Sequence, residues 1–569
     1  MAIKHYSPRK VASAVRVRWS AFRAATRSTE EFKKYMQTRD SDEAGAWSWK
    51  NEDLLPTPRS KRTWRARHYI FFYSSLAMDN WTLGSAMVGV GLNWWQAIVA
   101  VFIGEVLRSV AAALNSRCAE VYHIGFPVVA RSVFGMYGAY YAVAARAVLA
   151  AIYYSLKMYV GSAFIVNMLH AAFGSSFTGI PNHLPESLGL TTQQMLAFFL
   201  FWLLHIPFAF LRPNQLTWLF TLKMPAMLLA TLGLFTFCIV ATRATLTTSV
   251  PHPTTTTPWL YLYAINSVLG AHSTLTTNQP DYSRWAATPT ASTWPLLAAW
   301  PLSATLATAL GILATAAINR AWGLTLWNPW DLLTAVLQRH WTAGARVGVL
   351  ACAALWALCA LGTNVAANMV PLGADAAMVL APRYVDARRG QALGLLLAWA
   401  VCPWYVYASA AVFTRFLSGY GLFMGGLTGV MVVEYHGWVR GNVFVADLFD
   451  GGRSNPHYYY ARGWNWQAYA AYLCGMALGF PGFCGSLGAE VSAEARKLGY
   501  LGWLLAFTVS MVVYSGLCWV WPTQVQLDVK RRGLRREEMA LCDADNDRDA
   551  DQALEEQLSV PIAIPVASS

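Results

Sequence analysis

Two polar clusters interrupt the apolar runs of this 569-residue chain. One follows directly on an apolar run and spans residues 278–284, Asn-Gln-Pro-Asp-Tyr-Ser-Arg, and the other lies inside an apolar run at residues 363–368, Thr-Asn-Val-Ala-Ala-Asn. Polar groups at membrane depth must be satisfied by other protein groups or by a water-filled cavity. The pattern therefore indicates a carrier with a polar site near the middle of the bilayer.

The composition supports a membrane protein and excludes several other classes. Hydrophobic residues make up 56% of the chain and charged residues 13%, and the mean hydropathy is +0.34. The net charge of +13 is dispersed over many loops, so we expect no nucleic-acid partner. The nine cysteines occur singly and show no zinc-binding spacing, so we expect no metal and no cofactor. Residues 1–30 lack a continuous apolar core, and we expect no cleaved signal peptide.

Apolar runs long enough to cross a bilayer, about 20 residues each, predict an all-α polytopic membrane protein with about twelve transmembrane helices. The runs cover residues 69–90, 93–114, 136–169, 194–212, 217–241, 258–277, 293–318, 346–370, 391–411, 413–434, 466–484 and 499–521.

Lys and Arg concentrate in the loops on one side of these spans, which predicts that both termini are cytosolic. We therefore divide the chain into a basic cytosolic tail, 1–66, a transmembrane domain, 67–522, and a cytosolic tail, 523–569. The second tail is first basic and then acidic, a composition typical of disorder. Its basic part is suited to contact anionic membrane lipid.

Sequence motifs along residues 50–525 resemble those of the nucleobase:cation symporter-1 family, in particular its fungal uracil/allantoin permease branch. The matching stretches are residues 91–97, 122–127, 278–284, 363–368 and 382–384. The resemblance implies that the first ten spans form two inverted five-helix repeats and that two extra helices follow. It also implies that spans one and six are broken near the midplane, here close to residues 77–80 and 270–273. Interrupted helices expose dipole ends and backbone groups that can hold a substrate and an ion.

The resemblance places Asn364 and Asn368 of span eight at the substrate. They lie one helical turn apart and share a face, and an amide offers both a donor and an acceptor to a planar ring. The alternative is an ordinary hydrogen bond between membrane helices.

Three further residues are expected at the substrate by resemblance. Tyr153 and Lys157 stand where family members carry a Trp and a Gln that contact the base. Tyr can still stack, whereas Lys can only donate, which favours a carbonyl-rich or anionic substrate. Pairing of Lys157 with a carboxylate such as Glu105 is the alternative. His272 replaces the usual Phe or Trp and could stack, form a hydrogen bond or carry a proton, or it could serve only in the core.

The coupling ion is predicted to be a proton. The positions matching the sodium site of sodium-coupled relatives are Cys359, Gly362 and Thr363, which provide one hydroxyl, and a hard cation requires several oxygens. Glu105 and Arg108 lie three residues apart and could instead neutralise each other. The candidate titrating groups are Asp79, Glu105, Lys157 and His272.

Arg131, Asp281 and Arg284 lie at predicted cytosolic helix ends, where they would act as a gate of ion pairs or only anchor the helices. Together these features predict a plasma-membrane symporter that imports a nucleobase or related planar nitrogenous compound. A membrane receptor that binds without transport is the alternative. An enzyme is disfavoured because no nucleophile–base set has suitable spacing.

Overall fold

A computed structural model describes residues 20, 23, 26–38, 49–211, 217–243 and 257–541. Within these residues the protein is helical, and the only β-type pairings are two isolated bridges. This agrees with the predicted all-α class.

The helices of the first half include the first five spans. They are α1 (Thr29–Met36), α2 (Ala66–Ala77), α3 (Trp81–Gly89), α4 (Trp94–Tyr122), α5 (Phe126–Phe134), α6 (Ala139–Phe173), α7 (Ser175–Thr178), α8 (Thr192–Ala209) and α9 (Thr217–Ala241).

The remaining helices contain spans six to twelve. They are α10 (Thr257–Ala271), α11 (Ser273–Thr277), α12 (Gln279–Ser283), α13 (Thr293–Leu297), α14 (Ala299–Trp322), α15 (Pro329–Arg339), α16 (Ala343–Asn364), α17 (Val370–Val379), α18 (Ala387–Ala400), α19 (Ala410–Val433), α20 (Trp466–Ala477), α21 (Phe480–Ser486), α22 (Ala493–Gly499), α23 (Gly502–Val520) and α24 (Gln524–Arg531). Val365–Met369 and Glu434–Trp438 are π-helical segments. Short 3₁₀ turns occur at Arg59–Lys61, Glu186–Leu188, Pro403–Tyr405 and Val445–Phe449.

Every predicted span overlaps a helix or a helix pair. In the described residues, eight helical stretches are by length and composition apolar enough to cross a membrane. Spans one, six and eleven are each divided between shorter helices, and α18 in span nine has only 14 residues. Shorter helices of this kind depend on packing against their neighbours for stability.

Local sequence explains where several spans begin. The hydroxyl of Thr191 accepts a hydrogen bond from the backbone N–H of Gln194, and the Gln194 side chain accepts from Thr191 in return, which forms a capping box before α8. Thr342 and Ser409 cap α16 and α19 in the same position. These caps satisfy amide groups that the first helical turn leaves without partners.

The two halves of the molecule meet through long helices. From the first half, α4 packs against α10 and α14, and α6 packs along α16. Outside these contacts, α23 packs against α19 and α20. The arrangement brings α6 and α16 beside the breaks of spans one and six.

The predicted disordered tail does not begin at residue 523. Thr523 caps α24, whose Val525 and Val529 are buried, and Gln526 Nε2 donates to Glu434 Oε2 at 2.7 Å. Glu537 then forms an ion pair of 2.5 Å with Arg117. This part of the tail is folded because it meets buried Glu434 in the π-helical segment after α19 and half-buried Arg117 of α4. Residues 542–569 lie outside the described residues.

Candidate functional site

The two helix breaks lie where the sequence placed them. Span one is interrupted at residues 78–80, between α2 and α3. Span six is interrupted at His272, between α10 and α11. Just before the second break, Gly270 packs so closely on α19 that a Cβ would lie 1.9 Å from the Leu417 carbonyl oxygen. Only glycine permits this approach.

A cavity lies between the two breaks, α6 and α16. Asp79, Tyr153, Lys157, His272, Thr363 and Asn368 line it together with aromatic rings, including Phe164, Trp300, Trp356 and Tyr407. Six of the eight residues predicted for substrate and ion therefore surround one space. Asn364 and Glu105 are fully buried behind this lining.

Lys157 of α6 is paired with the break of span one. Its Nζ lies 3.0 Å from Asp79 Oδ2, and the side chains of Lys157 and Asp79 are 22% and 5% exposed. The structure therefore shows the predicted alternative, pairing of Lys157 with a carboxylate, but the partner is Asp79 and not Glu105. Asp79 reaches Lys157 because the chain leaves the helix at residues 78–80, which turns that side chain toward α6.

Glu105 of α4 faces a different neighbour. Its Oε2 accepts a hydrogen bond of 2.8 Å from Trp300 Nε1. Its Oε1 lies 3.2 Å from His272 Nε2, at ion-pair distance but without hydrogen-bond geometry. Arg108 lies with its guanidinium carbon 4.0 Å from the centre of the Trp300 ring. The predicted neutralisation of Glu105 by Arg108 alone therefore does not describe this cluster, because His272 and Trp300 also contact Glu105.

The two asparagines of span eight share a face as predicted. Asn368 Nδ2 donates to Asn364 Oδ1 at 2.9 Å and to the Tyr153 carbonyl at 3.3 Å. Asn364 Nδ2 donates to the Tyr154 carbonyl at 3.0 Å and lies 3.3 Å from His205 Nε2. Asn364 is therefore connected to the cavity only through Asn368.

The predicted ion site contains a lysine that the sequence reasoning did not include. Lys223 of α9 is fully buried, and its Cδ would lie 3.1 Å from a Cβ added at Gly362. Neither Lys223 Nζ nor Thr363 Oγ1 has a hydrogen-bond partner in the part of the chain that the structure describes. The signal for Lys223 was present, because a lysine inside an apolar span is rare and usually functional.

The predicted gate residues hold the segment before α2 against the ends of neighbouring helices. Arg284 donates to Thr57 Oγ1 at 2.7 Å and to the carbonyls of Asp53 and Leu55 at 2.9 and 2.6 Å. Burial, followed by nearby Arg62, lowers the pKa of His123 to about 4. Its ring is therefore neutral at neutral pH, and Nδ1 can donate to the Arg284 carbonyl, 3.2 Å away.

Arg131 and Asp281 also bind the main chain. Arg131 Nη1 donates to the carbonyls of Trp49 and Leu448 at 3.1 and 2.9 Å, and Asp281 Oδ1 accepts from Phe126 N–H at 2.8 Å. All three predicted gate residues therefore form hydrogen bonds at the same end of the molecule.

A fully buried ion pair near this end was missed by the sequence reasoning. Arg146 of α6 is bonded to Asp375 of α17 through its Nε at 2.5 Å and through a second, shorter contact of Nη2. Arg146 lies inside predicted span three, which was the available signal, whereas Asp375 lies beyond the predicted end of span eight at residue 370. In the structure the pair joins α6 to α17.

Two broken helices beside a cavity lined by polar and aromatic side chains are typical of a secondary membrane transporter. Comparison with known proteins agrees. The family profile described as "Permease for cytosine/purines, uracil, thiamine, allantoin" matches residues 56–525. The allantoin permease of Saccharomyces cerevisiae is 33% identical over 486 residues, covering 83% of this chain and 76% of that protein. The uracil permease of the same organism is 31% identical over 484 residues, with the same coverage of both chains.

Among solved structures, this chain is similar to Mhp1, a nucleobase-cation-symport-1 family transporter, in a closed conformation with bromovinylhydantoin bound. The TM-score is 0.67 at 17% identity, and the match covers 85% of this chain and 100% of Mhp1. This likeness supports the fold with two inverted repeats. The chain belongs to the nucleobase:cation symporter family, in its fungal uracil/allantoin permease branch. Its relatives are permeases and transporters, not enzymes.

Proposed function

We propose that the protein imports a nucleobase or a related small planar nitrogenous compound across the plasma membrane, with both termini in the cytosol. The observation that carries this proposal is the cavity, in which Lys157, Asp79 and Asn368 lie among aromatic rings. Aromatic faces favour a flat ligand, and the polar groups can bind N–H and C=O groups on its edge.

The names of the relatives support this substrate class, and they include several different substrates within it. Those with 25–33% identity are named as permeases or transporters of allantoin, uracil, uridine, nicotinamide riboside and thiamine. Because Lys157 is neutralised by Asp79, the cavity as a whole does not demand an anion. Uncharged nucleobases and ureides are therefore better candidates than the anionic substrates that an unpaired lysine would favour.

We propose further that transport is coupled to protons. The Lys223 side chain packs on Gly362, one of the positions that match the sodium site of sodium-coupled relatives. A lysine ammonium there would repel a second cation, and Thr363 is the single hydroxyl among the three matching positions, Cys359, Gly362 and Thr363. Asp79 and His272 line the cavity, and Glu105 lies behind them with its Oε1 3.2 Å from His272 Nε2. These three groups are the candidate proton carriers.

Uptake into proteoliposomes tests both proposals. Radiolabelled uracil, allantoin, cytosine and uridine should be compared with an inward proton gradient, without one, and with sodium replaced by choline. We expect saturable uptake of at least one compound that follows the proton gradient and ignores sodium. Uptake that requires sodium at fixed pH would refute proton coupling. Binding of a compound without its uptake would instead favour the receptor that does not transport.

A further inference from the structure

A chain of three side chains leads from the interior of span four to the cavity. It runs from His205 of α8 through Asn364 to Asn368, and all three are buried. We propose that His205 is a positioning residue that fixes the orientation of both amides. Asn368 then offers the cavity only its side-chain oxygen Oδ1, so a substrate must present an N–H group at that point. This inference rests on the proposed function and specifies its substrate more closely.

The first step concerns the proton on His205. Its Nδ1 lies 3.0 Å from the Phe201 carbonyl oxygen, one turn earlier in the same helix. A carbonyl can only accept, so Nδ1 carries the hydrogen. A second hydrogen on Nε2 would face the Asn364 Nδ2 amide at 3.3 Å and set two donors against each other. His205 is therefore neutral, with an acceptor at Nε2.

The second step fixes Asn364. Its Nδ2 has two hydrogens, of which one goes to the Tyr154 carbonyl at 3.0 Å and the other to His205 Nε2. The Tyr154 carbonyl can only accept, so a rotated amide would set its oxygen against that carbonyl oxygen and leave both without a donor. Asn364 Oδ1 is thus directed toward Asn368.

The third step fixes Asn368 at the cavity. Its two Nδ2 hydrogens go to Asn364 Oδ1 and to the Tyr153 carbonyl, which exhausts its donors. Its Oδ1 remains for a ligand, and the residue lines the cavity. The sequence predicted that the amide offers both a donor and an acceptor, but in the structure it offers the cavity only an acceptor.

The test measures discrimination against a missing N–H. Uracil is compared with 1-methyluracil and 3-methyluracil as competitors, first in the parent protein and then in His205→Leu, which lacks the Nε2 acceptor. Allantoin uptake provides a second substrate. Trp202→Phe is the matched control, because it removes a hydrogen bond of 2.9 Å between the same helix and the Leu395 carbonyl without touching the chain of amides.

In the parent, we expect one N-methyl compound to compete at least tenfold less well than uracil. In His205→Leu, we expect KM to rise about tenfold or more while the saturating rate per surface molecule stays within about twofold, and discrimination against that compound to shrink. His205→Gln should restore much of the parental KM and of the parental discrimination, since the glutamine amide oxygen can accept a hydrogen bond. Trp202→Phe should keep the parental KM and discrimination.

Three results would overturn the inference. One is parental KM and discrimination in His205→Leu. Another is equal competition by uracil and both N-methyl compounds in the parent, which decides the question even if His205→Leu fails to reach the surface. In these two cases the proposed function remains. If the parent neither binds nor transports uracil or allantoin, those substrates are wrong and the inference falls with them.

Discussion

The ion pair between Lys157 and Asp79 is expected to be necessary for both folding and transport. Their charged atoms are 3.0 Å apart, which corresponds to about 5–6 kcal/mol of attraction at an effective dielectric constant of about 20. Desolvation of the two groups offsets part of this gain. Removal of one partner from a buried pair typically costs about 3–5 kcal/mol, because the other charge remains buried and unpaired.

Lys157→Met should therefore lower surface abundance and thermal stability, since Asp79 is 5% exposed. Asp79→Asn should do the same by leaving the ammonium unpaired. The double variant has no unpaired charge and should recover abundance, while uptake stays impaired because two polar groups of the cavity are lost. Fluorescence-detected size-exclusion chromatography after heating measures stability, and radiolabel uptake normalised to surface protein measures transport.

Lys61→Met is the matched control. Lys61 lies 3.9 Å from Glu52, and the two side chains are 43% and 26% exposed, so this pair should contribute less than about 1 kcal/mol. The reasoning would be refuted if Lys157→Met and Asp79→Asn each kept parental stability and KM. Additive losses in the double variant would likewise show that the two side chains do not interact.

Three further changes test other parts of the structure. Asn368→Ala should abolish saturable uptake at unchanged surface level, because it removes the acceptor in the cavity, and an unchanged KM would exclude Asn368 from the site. Gly270→Ala should prevent correct folding, since a Cβ would meet the Leu417 carbonyl at 1.9 Å, whereas Gly348→Ala has open space and should express normally in the same fluorescence assay. Arg284→Ala removes three hydrogen bonds to residues 53–57 and should increase labelling by a thiol reagent of a cysteine introduced at Leu55, whose backbone carbonyl can accept from Arg284 whichever side chain it carries. Equal labelling in both backgrounds would argue against a closing role.

The sequence by itself determined the class, the spans and the helix breaks. Apolar runs of bilayer length can form only a few structures, and polar clusters inside them mark a protected site. The shared face of Asn364 and Asn368 also followed from helical spacing, which is a local property. The resemblance to the family, together with ionisable groups inside the spans, identified eight candidate residues for the substrate and the ion. Six of them line the cavity.

Only the tertiary structure decided which side chains meet. Lys157 pairs with Asp79, 78 positions away in the chain, and not with Glu105. His205 contacts Asn364, which lies 159 positions later in the chain. Composition indicated disorder for the segment of α24, but its Gln526 forms a hydrogen bond with Glu434, 92 positions earlier, and the segment is helical. Composition and periodicity describe the neighbours along one helix, whereas partners on different helices depend on how those helices cross and rotate. That arrangement is set by packing over the whole molecule.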